Sequence, residues 1–325
     1  MLRRDLMAGA AVALVSGCAA PALRTGPWPT AMTMGTGSPG GTYAVYGPAW
    51  GNVVQASTGV NVAYRSTQGP NQNIILLDRG GVQLGMTTLG VARQAWTGAG
   101  DWTKGTRFRE VRALFPMYET PFHGLALAHS GIVRLSQLSG RIVGIGEEGG
   151  TSGTYVPGML ATLGIHPREL RFGGIGEQTG EVVEGKLDAC ILAGGAPLPS
   201  IVQAERRTDL HILGFTKAEV ELLCATIPEL TPAVLPRGTY RSQRAELPVV
   251  GMFNFAICRS DLPDDLAATI TASVLDHRGE LMVKAPAAAE TLAANAVRNA
   301  AVPFHRGAVA YYARNGIAVP SVAEA

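Results

Sequence analysis

Acidic side chains are missing from a long stretch of this sequence: none occurs between Asp5 and Asp78. That gap argues against reading Gly35-x-Gly37-x-x-Gly40 as a dinucleotide fingerprint, which needs an Asp or Glu about 20 residues further on to hold a ribose. Charge is scarce throughout, at 16% against 46% hydrophobic residues, so the chain is globular rather than disordered. The formal net charge is +2, with Lys and Arg scattered and no basic run interleaved with aromatics, which gives no reason to expect nucleic acid. No internal run reaches the roughly 20 apolar residues needed to span a bilayer. Cysteine is rare and no CxxC occurs, so neither a redox motif nor a zinc site is supported. The six histidines form neither HxH nor HExxH. No cofactor or metal is called for.

The N-terminus departs from this pattern. Arg3 and Arg4 precede the apolar run Met7–Val15, which ends at Ser16-Gly17-Cys18, and this reads as an export signal. Val15-Ser16-Gly17-Cys18 resembles the bacterial lipoprotein signal, in which the cysteine is lipidated and becomes the first mature residue. An ordinary cleavable signal, or export of a folded protein through the twin arginines, stays open. Residues 1–17 are thus assigned to a signal peptide, Cys18 to lipidation, and 18–30, with three prolines, to a tether. The expected location is the extracytoplasmic face of a membrane. In an exported chain the remaining Cys190, Cys224 and Cys258 cannot all pair, and Cys190 and Cys258 lie in apolar runs that read as buried.

One short loop occurs twice. Gly35-Thr36-Gly37-Ser38-Pro39-Gly40-Gly41-Thr42-Tyr43 follows the apolar run Ala31-Met32-Thr33-Met34. Gly146-Glu147-Glu148-Gly149-Gly150-Thr151-Ser152-Gly153-Thr154-Tyr155 follows Arg141-Ile142-Val143-Gly144-Ile145. Each loop leads into a helix-like segment, at 44–55 and 156–163. Glycine lets the backbone come close to a ligand, and Ser or Thr at a helix start favours negative charge there. Two such loops on two lobes could hold one small anionic or zwitterionic molecule. Ser66-Thr67-Gln68-Gly69-Pro70-Asn71 offers further donors after a strand at 60–64, and Gly194-Gly195-Ala196-Pro197 follows a strand at 189–192. Arg65 reads as solvent-facing.

Short strands alternate with helices at 71–77, 177–183 and 262–275, which is an α/β pattern. The Ala-rich stretch 285–313 reads as helical, broken near Pro303. Long strands near 122–128 and 249–258 are the natural crossings between lobes, giving 31–122 plus 250–325 as lobe 1 and 123–249 as lobe 2. Nucleophilic catalysis finds little support. Ser152 lacks the glycine placement of a nucleophile elbow, and adjacent Glu147 and Glu148 should diverge rather than pair. A hydrolase using Ser152 with distant partners remains open.

Taken in order, these segments resemble the TAXI family of solute-binding proteins that serve TRAP transporters. The resemblance runs from about Met32 to Ile317 and rests on Gly35–Tyr43, on Ser66-Thr67-Gln68-Gly69 with Asn73, and on Leu135–Thr154. Glu184-Gly185-Lys186-Leu187-Asp188-Ala189 and Pro303-Phe304-His305-Arg306-Gly307-Ala308 with Tyr311-Tyr312 extend it. Thr88-Leu89-Gly90 departs from the family, many of whose members carry more polar residues there, and Gly195-Ala196-Pro197 lacks the bulkier residue often found before proline.

The resemblance implies a type II periplasmic binding-protein fold, two α/β lobes around a hinge with a ligand cleft between them, and no enzymatic activity. It implies capture of a small organic or amino acid and delivery to TRAP membrane subunits. Ser38, Thr42, Tyr43, Thr67, Gly69 and Thr88 would serve from lobe 1, and Ser152, Gly153, Thr154 and Gly195 from lobe 2. A lipoprotein that senses its solute and signals to a membrane partner is the alternative.

Overall fold

The computed structural model describes residues 27–322, so the expected signal peptide, Cys18 and most of the tether lie outside the described residues. Among the described residues there are ten strands: β1 Ala31–Gly35, β2 Asn61–Arg65, β3 Leu84–Thr88, β4 Val111–Leu127, β5 Ile142–Gly144, β6 Glu169–Arg171, β7 Ala189–Ala193, β8 Leu210–Leu213, β9 Thr231–Leu235 and β10 Leu247–Arg259. The α-helices are α1 Tyr43–Thr58, α2 Pro70–Asp78, α3 Leu89–Thr97, α4 Thr151–Thr162, α5 Ile175–Val183, α6 Pro199–Ala204, α7 Lys217–Thr226, α8 Asp264–Asp276, α9 Arg278–Lys284 and α10 Arg306–Arg314.

The strands join in the order β2-β1-β3-β10-β4-β7-β5-β6, with β8 on β4 and β9 on β10. β1 runs parallel to β2 and β3, and β5 runs parallel to β6 and β7. Buried on both faces, β3 and β7 need no alternation of polar and apolar residues, and all five residues of each are buried. Between these parallel groups lie the two long strands β4 and β10, antiparallel to each other. Each serves both groups. β10 pairs through Asn254–Cys258 with β3 and through Leu247–Gly251 with β9, while β4 passes from β10 to β7 at Phe122–Ala126. Ladder irregularities at Phe253/Phe255 and Ala256/Ile257 fall along the crossing.

Two apolar cores flank these crossing strands. One gathers Tyr46, Trp50, Phe115, Phe255 and Tyr312, and Trp28 at the described end of the tether packs against it. The other gathers Phe122, Leu125, Val143, Tyr155, Leu192 and Tyr240. Cys190 and Cys258 are fully buried, as expected. The Ala-rich stretch differs from its reading as helix: it forms short 3-10 turns at Pro286–Glu290 and Ala293–Arg298 before α10. Asn299 explains the break. Its side-chain oxygen accepts from the N–H groups of Ala301 and Val302, and its amide donates to Val302 O, an arrangement that competes with helix.

Candidate functional site

Both glycine loops leave the C-terminal ends of parallel strands, where open α/β sheets bind ligands. The first joins β1 to α1, the second joins β5 to α4. Together they wall one small cavity of about 40 Å³. A water needs ~10–15 Å³ on this measure, so the space fits a few waters or one compact solute.

From the first loop come Gly37, Ser38, Gly41, Thr42 and Tyr43. From the second come Glu147, Gly150, Thr151 and Ser152, with Ala193 and Gly194 from the end of β7. Helix α4 begins earlier than the sequence pattern suggests, so Thr151-Ser152-Gly153-Thr154 is its first turn rather than loop. That places the α4 N-terminus, with its positive dipole end, at the cavity wall.

The lobes are closed on each other, chiefly through main chain. Gly176 N–H donates to Pro39 O at 3.1 Å, Ser200 N–H to Gly40 O at 3.3 Å and Asn71 N–H to Gly149 O at 3.2 Å. The Thr42 hydroxyl donates to Gly195 O at 2.9 Å, and the Asn71 amide donates to Thr154 Oγ1 at 3.1 Å. Such close approach needs glycine: a Cβ on Gly40, whose φ is +86°, would lie 2.7 Å from Gly176 Cα.

Ser38, Thr42, Tyr43, Gly69 and Ser152, all expected to meet solute, line the cavity. Their hydroxyls are partly committed. Tyr43 donates to Asn254 Oδ1 at 2.6 Å, and Ser152 Oγ accepts from Ala193 N–H at 2.7 Å, tying α4 to β7. Thr67, Thr88, Gly153, Thr154 and Gly195 stand behind the wall. Thr67 Oγ1 lies 2.9 Å from Thr36 O and 2.8 Å from Asn73 Oδ1, bracing the first loop. Thr88 Oγ1 reaches Thr151 Oγ1 at 3.5 Å. Thr154 donates to Gly150 O at 2.8 Å. A side chain on Gly153 would run into the Glu147 carbonyl, so this glycine lets α4 start tightly under the loop. Arg65 is exposed, as read.

Tyr118, Thr120 and Asn254 complete the lining from the crossing strands, together with Gln68 and Ile175. Gln68 belongs to the donor segment singled out in the sequence, whereas Tyr118, Thr120, Asn254 and Ile175 were passed over. Asn254 offered a signal, since it is the one polar residue in the apolar run 249–257. Its amide donates to Tyr118 O and to Thr120 Oγ1. Glu147 and Glu148 diverge as expected, Glu147 toward the cavity and Glu148 to solvent. Burial pushes the Glu147 carboxyl above its ordinary value, and it pushes the Tyr43 and Tyr118 phenols well above 10, so both phenols stay neutral.

The sequence pattern of the NMT1-like family matches residues 34–316. Among solved structures, the periplasmic binding protein BugD is similar at a TM-score of 0.55 and 10% identity, over 78% of this chain and 86% of that one. A structure concerned with glutathione import via GshT and the cystine ABC importer TcyBC of Streptococcus mutans gives 0.51 and 13%, over 82% of this chain and 97% of the other. A histidine kinase sensor domain with similarity to periplasmic binding proteins gives 0.50 and 13%, over 82% and 98%. At these identities the likeness concerns fold, and the fold is that of the periplasmic binding proteins, two α/β lobes about crossing strands.

Proposed function

We propose that this chain, which belongs to the NMT1-like family, is the solute-binding subunit of a TRAP transporter of the TAXI type. It captures a small organic or amino acid by closing its lobes and hands it to membrane subunits. One observation carries this reading: two glycine loops more than 100 residues apart wall a single cavity, each backed by the first turn of a helix. In this reading 31–122 plus 250–325 form one lobe and 123–249 the other, boundaries that lie within the long strands β4 and β10. Ligand then shifts a hinge equilibrium between open and closed forms.

The site binds rather than reacts. Ser152 Oγ is held by Ala193 N–H, and both ring nitrogens of His123 are engaged, with Pro121 O and the Tyr240 hydroxyl. The protein works at the extracytoplasmic membrane face, anchored through Cys18; among the described residues no helix is long and apolar enough to cross a membrane. The test is thermal melting of the mature chain against amino acids, dicarboxylates, 2-oxoacids and neutral sugars. A ligand at 100 times its Kd adds about 2.7 kcal/mol to the folded state, so a selective rise with one acid class is expected. A uniform absence of shift at millimolar acid would overturn the reading. Uptake by vesicles carrying TRAP membrane subunits, dependent on this protein, tests the delivery step.

A further inference from the structure

We infer that Glu147 selects a solute bearing a protonated amine, so that the captured molecule is a compact zwitterion rather than a dicarboxylate or a simple carboxylate. The inference rests on the solute-binding reading above and names the class of solute.

Three observations converge on it. First, Glu147 supplies the formal charge of the cavity. Lys, Arg and His are absent from the lining among the described residues, so no fixed cation answers it. Its Oε1 accepts a long bond from Ile175 N–H at 3.3 Å and the Ser38 hydroxyl also favours its charged form; both are neutral donors, and acceptor capacity is left for a ligand. Burial without a cation raises its pKa, and an ammonium group would supply what the wall lacks.

Second, the positive complement in the site is main chain. Among the described residues, the N–H groups of Thr151 and Ser152 have no acceptor at the start of the twelve-residue helix α4. The first turn of α1 reaches the same cavity through Thr42 and Tyr43. Two helix N-termini carry roughly +0.5 each, which suits one carboxylate. With Glu147 the site sums to about neutral. A zwitterion enters with its charges matched, whereas a dianion would bring a second negative group against Glu147.

Third, Tyr118 is only 1% exposed and its hydroxyl has no hydrogen-bond partner among the described residues, yet Tyr118 lines this cavity. Buried polar groups are nearly always paired, so an unpaired one at a cavity wall marks a contact made by ligand.

The experiment is calorimetric titration of the mature chain with matched pairs: L-alanine and L-lactate, L-serine and L-glycerate, L-glutamate and 2-hydroxyglutarate, with succinate as the dianion. At least one amino acid should bind tenfold or more tighter than its hydroxy partner and than succinate. Glu147→Gln should shrink that gap to about threefold or less. If hydroxy acids or succinate bind as tightly as the amino acids, the role of Glu147 falls while solute binding stands. Retention of the full preference in Glu147→Gln overturns it equally. No binding by any of these acids removes both readings. Should Glu147→Gln melt at a markedly lower temperature without ligand, the paired titrations of the unaltered chain decide alone.

Discussion

Gly176 offers a way to obstruct closure without harming the fold. It is the second residue of α5, and its backbone meets the opposite lobe. A Cβ there would lie 2.9 Å from Pro39 O and 3.5 Å from Gly40 Cα, both main-chain atoms that cannot swing aside. The same residue donates its N–H to Pro39 O. Gly176→Ala must therefore push the lobes apart, and overpacking of this kind costs about 1–3 kcal/mol. With 1.4 kcal/mol per factor of ten, that is roughly 5- to 150-fold in apparent affinity. The open form escapes the cost, and alanine is the better helix former by up to ~1 kcal/mol. The expectation is a melting temperature without ligand that holds or rises, together with weaker binding of whichever acid the thermal screen identifies. Gly180→Ala in the same helix is the control, because nothing lies within 4 Å of a Cβ there. Calorimetric titration and melting curves of both variants give the answer. Affinity of Gly176→Ala within twofold of the unaltered chain would refute the argument that capture needs this closed contact.

Ser152→Ala leaves the buried Ala193 N–H without its acceptor, and should cost about 1–3 kcal/mol in denaturant unfolding, whatever it does to binding. Tyr118→Phe removes a hydroxyl that has no partner among the described residues, so stability should hold or rise while ligand affinity drops about 2- to 10-fold. His123 is buried between Pro121 O, which takes its Nδ1–H, and the Tyr240 hydroxyl, which donates to Nε2 while accepting from Leu198 N–H. Burial pulls its pKa from 6.5 down to about 4. Between those values the unfolded chain binds the extra proton. Stability is therefore full above pH 6.5 and is lost as pH falls toward 4, by about 3 kcal/mol in all. Unfolding free energies at pH 7, 5.5 and 4.5 check this, and His123→Phe should flatten the slope.

Strand ends, loops and helix starts were readable wherever residue chemistry acts locally. The strand read at 189–192 and the helix read at 71–77 are found within a residue of those bounds, at Ala189–Ala193 and Pro70–Asp78. The start of α4 was hidden because Gly, Ser and Thr are weak helix formers, and tertiary contacts at Ser152 and Gly153 override that preference. Alanine in 285–313 misled in the other direction: propensity without an amphipathic face does not hold a long helix against Pro286, Asn299 and Pro303. Half of the anticipated site residues line the cavity because loops announce themselves through glycine. Tyr118 and Asn254 did not, since their place at the crossing of β4 and β10 depends on pairings between residues 130 or more positions apart. Thr67 and Thr154 carry the right chemistry but spend it inside the protein, a choice set by rotamer and packing rather than by residue type.

The contacts between Pro39 and Gly176, Gly40 and Ser200, and Asn71 and Gly149 use peptide groups alone. Peptide groups are common to every sequence that can trace this backbone. On the proposed solute-binding reading, the latch lies in chain geometry and the preference for cargo in a few side chains around it. The same separation makes the cavity a place where cargo could be redesigned residue by residue, with Gly40 and Gly176 left untouched.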